Sequence, residues 1–103
     1  MDLESIKTIL ETFIKKEELN GHLRYSIGGY CEDAYCLDFN DKGMWEVYSG
    51  ERGNKYDLKT FTSPKDACVC FIKELCNTHD EEQEMTEKFL AIYQDKGDVD
   101  IEK

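Results

Sequence analysis

Apolar residues recur along this chain at two different periods, and the change of period divides it into helix, sheet and helix again. Over residues 2–18, Leu3, Ile6, Ile9, Leu10, Phe13 and Ile14 follow one another at steps of three and four, which gathers them on one stripe of an α-helix. Asp2 is placed to cap that helix, and Glu11 stands four residues before Lys15 on its polar side. Asn20-Gly21 offers a left-handed stop. From about His22 to Gly28 the step shortens to two: Leu23, Tyr25 and Ile27 alternate with Arg24 and Ser26, the pattern of a half-buried strand. Gly28-Gly29 breaks it. The alternation returns from Ala34, with Tyr35, Leu37 and Phe39 directed inward and Cys36 and Asp38 outward.

Two turns allow the strand register to be argued. If Asp41-Lys42-Gly43 is a three-residue loop with Gly43 in the left-handed bulge position, Phe39 faces Trp45 and Leu37 faces Val47. A four-residue loop would set Phe39 opposite Met44 and reverse the faces, against the apolar pattern. A second loop, Glu51-Arg52-Gly53-Asn54, sets Val47 against Leu58 and Glu46 against Lys59, an apolar pair and an opposite-charge pair on opposite faces. The two hairpins agree on one apolar face made of Tyr25, Ile27, Tyr35, Leu37, Phe39, Trp45, Val47 and Leu58. Arg24, Asp38, Glu46, Tyr48, Asp57 and Lys59 are expected to face solvent.

The helical period resumes after Ser63, an N-cap followed by Pro64 in the first turn. Cys68, Phe71, Ile72, Leu75 and His79 share one face there. A last helix over about residues 81–94 has Met85, Phe89, Ile92 and Tyr93 as its stripe and an acidic first turn, as the helix dipole prefers. Residues 95–103 read as a frayed acidic tail. The pattern predicts one α+β domain over residues 1–103: an N-terminal helix, a four-stranded antiparallel meander, and two C-terminal helices covering its apolar face.

Charge narrows the partners. A formal net charge of −10 on 103 residues repels polyanions, so neither nucleic acid nor an anionic membrane is an expected partner; the acidity either suits a basic protein partner or serves solubility alone. No stretch approaches the length of a transmembrane helix, and the opening Met1-Asp2-Leu3-Glu4 lacks a signal peptide's basic region. A cytosolic protein with five reduced cysteines is expected, since their odd number and spacing do not form a disulfide framework.

Candidate chemistry is sparse. Cys68 and Cys70 lie two apart within a predicted helix, roughly 200° around its axis, and do not converge as zinc ligands do. Cys76 and His79 supply two ligands without a third, and His22 and His79 have no cysteine in a nucleophile context. No phosphate-cradling glycine loop occurs. No catalytic residue, metal site or cofactor is expected, and the chain reads as non-enzymatic. Tyr48, ringed by Asp38 and Glu46 and followed by Glu51 and Arg52 at the tip, combines residue types that anchor interfaces with an acidic rim that steers basic partners. The acidic helix start, with Glu81, Glu82 and Glu84, is a second candidate surface.

The run Trp45-Glu46-Val47-Tyr48-Ser49-Gly50-Glu51-Arg52-Gly53, followed by Phe61-Thr62-Ser63 and Asp66-Ala67-Cys68 leading to Phe71 and Leu75, resembles small immunity proteins of bacterial polymorphic toxin systems. In those proteins a W-x-V-Y-x-x-E-R-G-like strand and turn precede an F-x-[ST]-x-x-x-A-C-x-x-F helix entry. The resemblance spans about residues 23–76. It implies a protein that binds and neutralises a cognate toxin, often a nuclease, by stoichiometric occlusion; a general adaptor or regulatory module is the alternative, and a small cysteine-dependent enzyme ranks behind both. The resemblance supplies no interface map, so the contact residues rest on the exposure and chemistry argued above.

Overall fold

The computed structural model describes residues 2–19 and 24–96, with the backbone alone for 94–96. Its elements run α1 (Leu3–Glu17), β1 (Tyr25–Ile27), β2 (Ala34–Phe39), β3 (Trp45–Glu51), β4 (Asn54–Phe61), α2 (Pro64–Leu75) and α3 (His79–Lys96). The strands form one sheet in the order β1-β2-β3-β4, so the α+β class and the strand order match the expectation from periodicity. Asn20-Gly21, His22, Leu23 and the tail from residue 97 lie outside the described residues. No helix among the described residues is long and apolar enough to cross a membrane.

Asp2 caps α1 by accepting the Ser5 N–H at 2.9 Å. The helix stops earlier than expected, at Glu18, whose φ of 55° is left-handed. Leu19 N–H then returns to Ile14 O at 3.1 Å, and the Leu19 side chain is buried, the hydrophobic closure of a Schellman end. Ser63 caps α2, with Pro64 in its first turn.

The first strand pair departs from the expected meander. β1 runs parallel to β2, Tyr25 beside Tyr35 and Ile27 beside Leu37, tied by Gly28 N–H to Leu37 O at 2.8 Å and Tyr35 N–H to Arg24 O at 3.1 Å. Parallel connections usually need a dozen or more residues. Here β1 has only three residues, so the short segment 28–33 suffices to return the chain to its start, beginning at Gly28 with φ +101°.

β2 and β3 pair antiparallel with Phe39 opposite Trp45 and Leu37 opposite Val47, the register argued from Asp41-Lys42-Gly43. Gly43 takes φ +81°, and the Asn40 side chain accepts the N–H groups of Lys42 and Met44 at 2.8 and 3.0 Å. The β3–β4 pair begins with Ser49 opposite Tyr56 but then shifts, leaving Val47 opposite Lys59 and Glu46 opposite Thr60. The cause is a bulge at Asp57, which adopts φ 54° and moves the rest of β4 by one residue. The slip overturns the expected Val47–Leu58 and Glu46–Lys59 pairs.

The apolar face of the sheet packs against α2, α3 packs chiefly on α2, and Phe89 meets Phe13 of α1 edge-on at 5.5 Å. Ile6, Leu10, Phe13, Leu37, Val47, Phe71, Ile72, Leu75 and Phe89 are essentially inaccessible. Two residues assigned to the core are outside it: Phe39 and Leu58 are 44% and 46% exposed. Phe39 lies at the strand end against Trp45, ring centroids 4.7 Å apart. Lys59 meets Glu74 of α2 at 3.5 Å, so Leu58, its neighbour past the bulge, points to the opposite face. His79 is also solvent-exposed instead of sharing the α2 core stripe.

Candidate functional site

The β3–β4 hairpin turns through two residues, Arg52 (φ 55°) and Gly53 (φ 78°), with Glu51 opposite Asn54. Two successive left-handed residues make the turn whose twist suits a hairpin, where a four-residue loop was expected. They also aim their N–H groups outward side by side, as an anion-binding nest does. Glu32 occupies that nest, its carboxylate accepting from Arg52 N–H at 2.5 Å and Gly53 N–H at 3.3 Å. Tyr30 hydroxyl donates to the same carboxylate at 2.8 Å and accepts the Gly53 N–H at 2.8 Å. The Tyr30 hydroxyl, then the two N–H groups, hold the Glu32 carboxyl below its usual value.

Residues 28–33 therefore act as a strap across the face of the sheet opposite the helices. Asp33 N–H binds Gly50 O at 2.8 Å, and Tyr30 stacks over Tyr48 with centroids 6.4 Å apart and planes 15° from parallel. Ala34, Cys36 and Tyr48 form a second, smaller buried cluster with Cys31 packed on it. Beyond the strap, Glu46 is 7% exposed. It accepts from Asn40 Nδ2 at 2.9 Å and pairs with Lys55 Nζ at 2.9 Å, while that same ammonium lies 4.9 Å from the Tyr48 ring centre. Burial pushes the Glu46 carboxyl up; the Asn40 and Lys55 hydrogen bonds and the Lys55 charge more than offset it, and the group stays below its usual value. Burial raises the Tyr48 phenol, next to Cys36 and Asp38.

This arrangement corrects the expectation that the outer face is open. Glu46 and Tyr48 are buried, Asp38 is half-buried, and Glu51 and Arg52 are exposed at the tip. One signal for the strap was present: a glycine within a strand marks a close backbone approach, and a Cβ on Gly50 would fall inside contact distance of the Cys31 carbonyl.

What faces solvent instead is β4. Every residue from Asn54 to Thr60 is exposed, including Tyr56 at 45% and Leu58 at 46%. The sequence assigned Leu58 to the core and passed over Tyr56, because the Asp57 bulge is not visible in alternation.

In the acidic helix start, Glu81 is occupied structurally: it accepts the Asn77 N–H at 2.7 Å while Thr78 Oγ1 accepts the Glu81 N–H at 3.0 Å, a reciprocal cap. Glu84 is exposed and pairs with Lys88 at 3.4 Å. Glu82 lines an open groove of about 430 Å³ together with Lys59 of β4 and Asp66, Cys70, Lys73 and Glu74 of α2. Of the site residues suggested by the sequence, only Glu82 lines this groove; Asp38, Glu46, Tyr48, Glu51 and Arg52 do not.

The five cysteines are all free thiols. Cys68 is wholly buried, Cys76 Sγ donates to Ile72 O at 3.2 Å, and the His79 side chain is 89% exposed. Among the described residues no three His, Cys, Asp or Glu side chains are grouped to hold a metal ion. Compared with family models, with curated proteins and with solved structures, the chain finds no match in any of the three.

Proposed function

We propose that this chain is a non-enzymatic binding protein that captures a basic protein partner on the β3–β4 hairpin, in the manner of an immunity protein occluding its toxin. The observation that carries the reading is the display of Tyr56 and Leu58, both close to half exposed, from the two faces of an edge strand held by a strapped turn. Apolar and aromatic side chains on a preorganised support make interface anchors at low ordering cost. The bulge at Asp57 and the charges of Lys55, Asp57 and Lys59 blunt this edge against addition of another strand, so recognition runs through side chains. A net charge of −10 favours a basic partner and speeds its approach. A nuclease is one such partner, because it needs a basic surface to hold its substrate.

The test is co-purification from a native or co-expressing host, followed by affinity measurement on variants. Tyr56→Ala with Leu58→Asp is expected to weaken binding at least tenfold, the scale of a lost interface anchor of about 1–2 kcal/mol. Glu51→Lys is expected to slow association in a salt-dependent way. Unchanged affinity in the double variant would remove the hairpin from the interface. A captured partner whose activity persists in the complex would favour an adaptor over an inhibitor.

A further inference from the structure

Two of the five thiols stand apart from the main core, under the strap. Cys36 is wholly buried; its thiol donates to Cys31 O at 3.7 Å and Ala34 O at 3.6 Å. Cys31 is half-buried, packs on the same small cluster, and its thiol donates to Glu32 O at 3.7 Å. The two sulfurs are thus bound to carbonyls of the consecutive residues Cys31 and Glu32. Arg24 Nη2 donates to Cys31 Sγ at 3.6 Å, so a guanidinium stands against the more accessible of the two sulfurs. The strap that carries Cys31 enters through Gly28-Gly29, with open space around Gly29.

Burial pushes the Cys36 thiol up, as it does the three thiols elsewhere in the chain. Cys68 is wholly buried and burial pushes it up to about 12. Burial pushes Cys76 up to about 11, with Glu81 and Glu82 adding to the effect. Cys70 opens onto the groove between β4 and α2, with carboxylates and ammonium groups around it.

We propose that Cys31 and Cys36 form a reversible disulfide pair in which a hydroperoxide oxidises Cys31 and Cys36 resolves it. Cys31 sulfur attacks the peroxide, the O–O bond breaks, and one oxygen leaves as water (or an alcohol) with the thiol's proton. The other oxygen remains as the Cys31 sulfenic acid. Cys36 sulfur then attacks Cys31 sulfur, the S–O bond breaks, and the hydroxyl leaves as a second water with the Cys36 proton. Two thiols are oxidised and one peroxide is reduced. A half-exposed sulfur beside a resolving cysteine is the arrangement that redox-sensing thiols use. The product staples the strap to β2, and with it the Tyr30 and Glu32 groups that hold the hairpin tip. The inference does not depend on the partner-binding reading.

The first readout uses the wild-type chain. The full chain is treated with hydrogen peroxide, remaining thiols are blocked with N-ethylmaleimide in denaturant, and the peptides are weighed after trypsin. Cleavage after Arg24 and Lys42 leaves both cysteines in one peptide, 25–42. That peptide is expected to lose two hydrogens and both alkylation sites together before the peptides carrying Cys68, Cys70 and Cys76 change, and to recover with dithiothreitol. Cys36→Ala should leave Cys31 as a dimedone-trapped sulfenic acid, and Cys31→Ser should leave Cys36 a thiol. A 25–42 peptide that stays doubly alkylated while Cys70 or Cys76 oxidises would overturn the proposal, as would Cys36 oxidising at the wild-type rate in Cys31→Ser.

Discussion

Gly50→Ala tests whether the strap is in contact with the sheet. Gly50 lies on the outer face between Ala34 and Lys55, and a methyl group there would sit 2.9 and 3.2 Å from the Tyr30 ring and closer still to the Cys31 carbonyl. The ring tip can yield, but the carbonyl belongs to backbone pinned by Asp33 N–H on Gly50 O at 2.8 Å. Overpacking of this kind costs about 1–3 kcal/mol. Replacing glycine recovers about 0.4–1 kcal/mol by restricting the unfolded chain. The net expectation is a loss of about 1–2 kcal/mol, limited by an alternative route in which the strap lifts. Lifting would give up the Tyr30–Tyr48 stack and the cover over Cys36. Urea unfolding measures the first route, and alkylation of Cys36 under native conditions reports the second. A variant as stable as wild type, with Cys36 equally protected, would show that the strap does not lie on Gly50.

Three further expectations share this outer face or its partners. Tyr48→Phe removes a buried hydroxyl that meets only the weakly accepting Cys36 thiol among the described residues, and is expected to be neutral or to stabilise by up to about 1 kcal/mol; a clear loss in urea unfolding would show that the hydroxyl is strongly bonded. Glu46→Ala removes the carboxylate shared by Asn40 and Lys55 and should cost about 1–2 kcal/mol at neutral pH. Because the folded Glu46 carboxyl is held below the unfolded value of 4.5, its contribution is fully present above that pH and is lost as the pH falls through the lower folded value. Wild type should therefore lose stability there more steeply than Glu46→Ala, and parallel pH profiles would refute the pairing.

Local chemistry carried much of this fold. The Asn40–Gly43 turn and the apolar positions beside it fix Phe39 against Trp45, because a turn type and a two-residue period leave one consistent register. Ser63-Pro64 begins α2 for equally local reasons. The second hairpin was legible only to Ser49 and Tyr56; the left-handed Asp57 then shifts the strand, and nothing in alternation marks an aspartate as a bulge. The candidate surface was misplaced for a related reason. Tyr48 and Glu46 alternate as solvent-facing residues should, yet the strap and Lys55 bury them.

The sequence by itself determined the helices, the strand order and the principal apolar face, since each follows from periods and caps within a few residues. The tertiary structure decided which way β1 runs and which face of the hairpin is covered. Those outcomes depend on residues 28–33 folding back onto Gly50 and Gly53, groups some twenty positions away. A pattern read over a short window contains the alternation of a strand but not what comes to lie on top of it. Trp45 and Val47 hold the sheet to its helices in the way alternation implies. Leu58 became apparent as an exposed anchor only with the bulge that turns it away from the core.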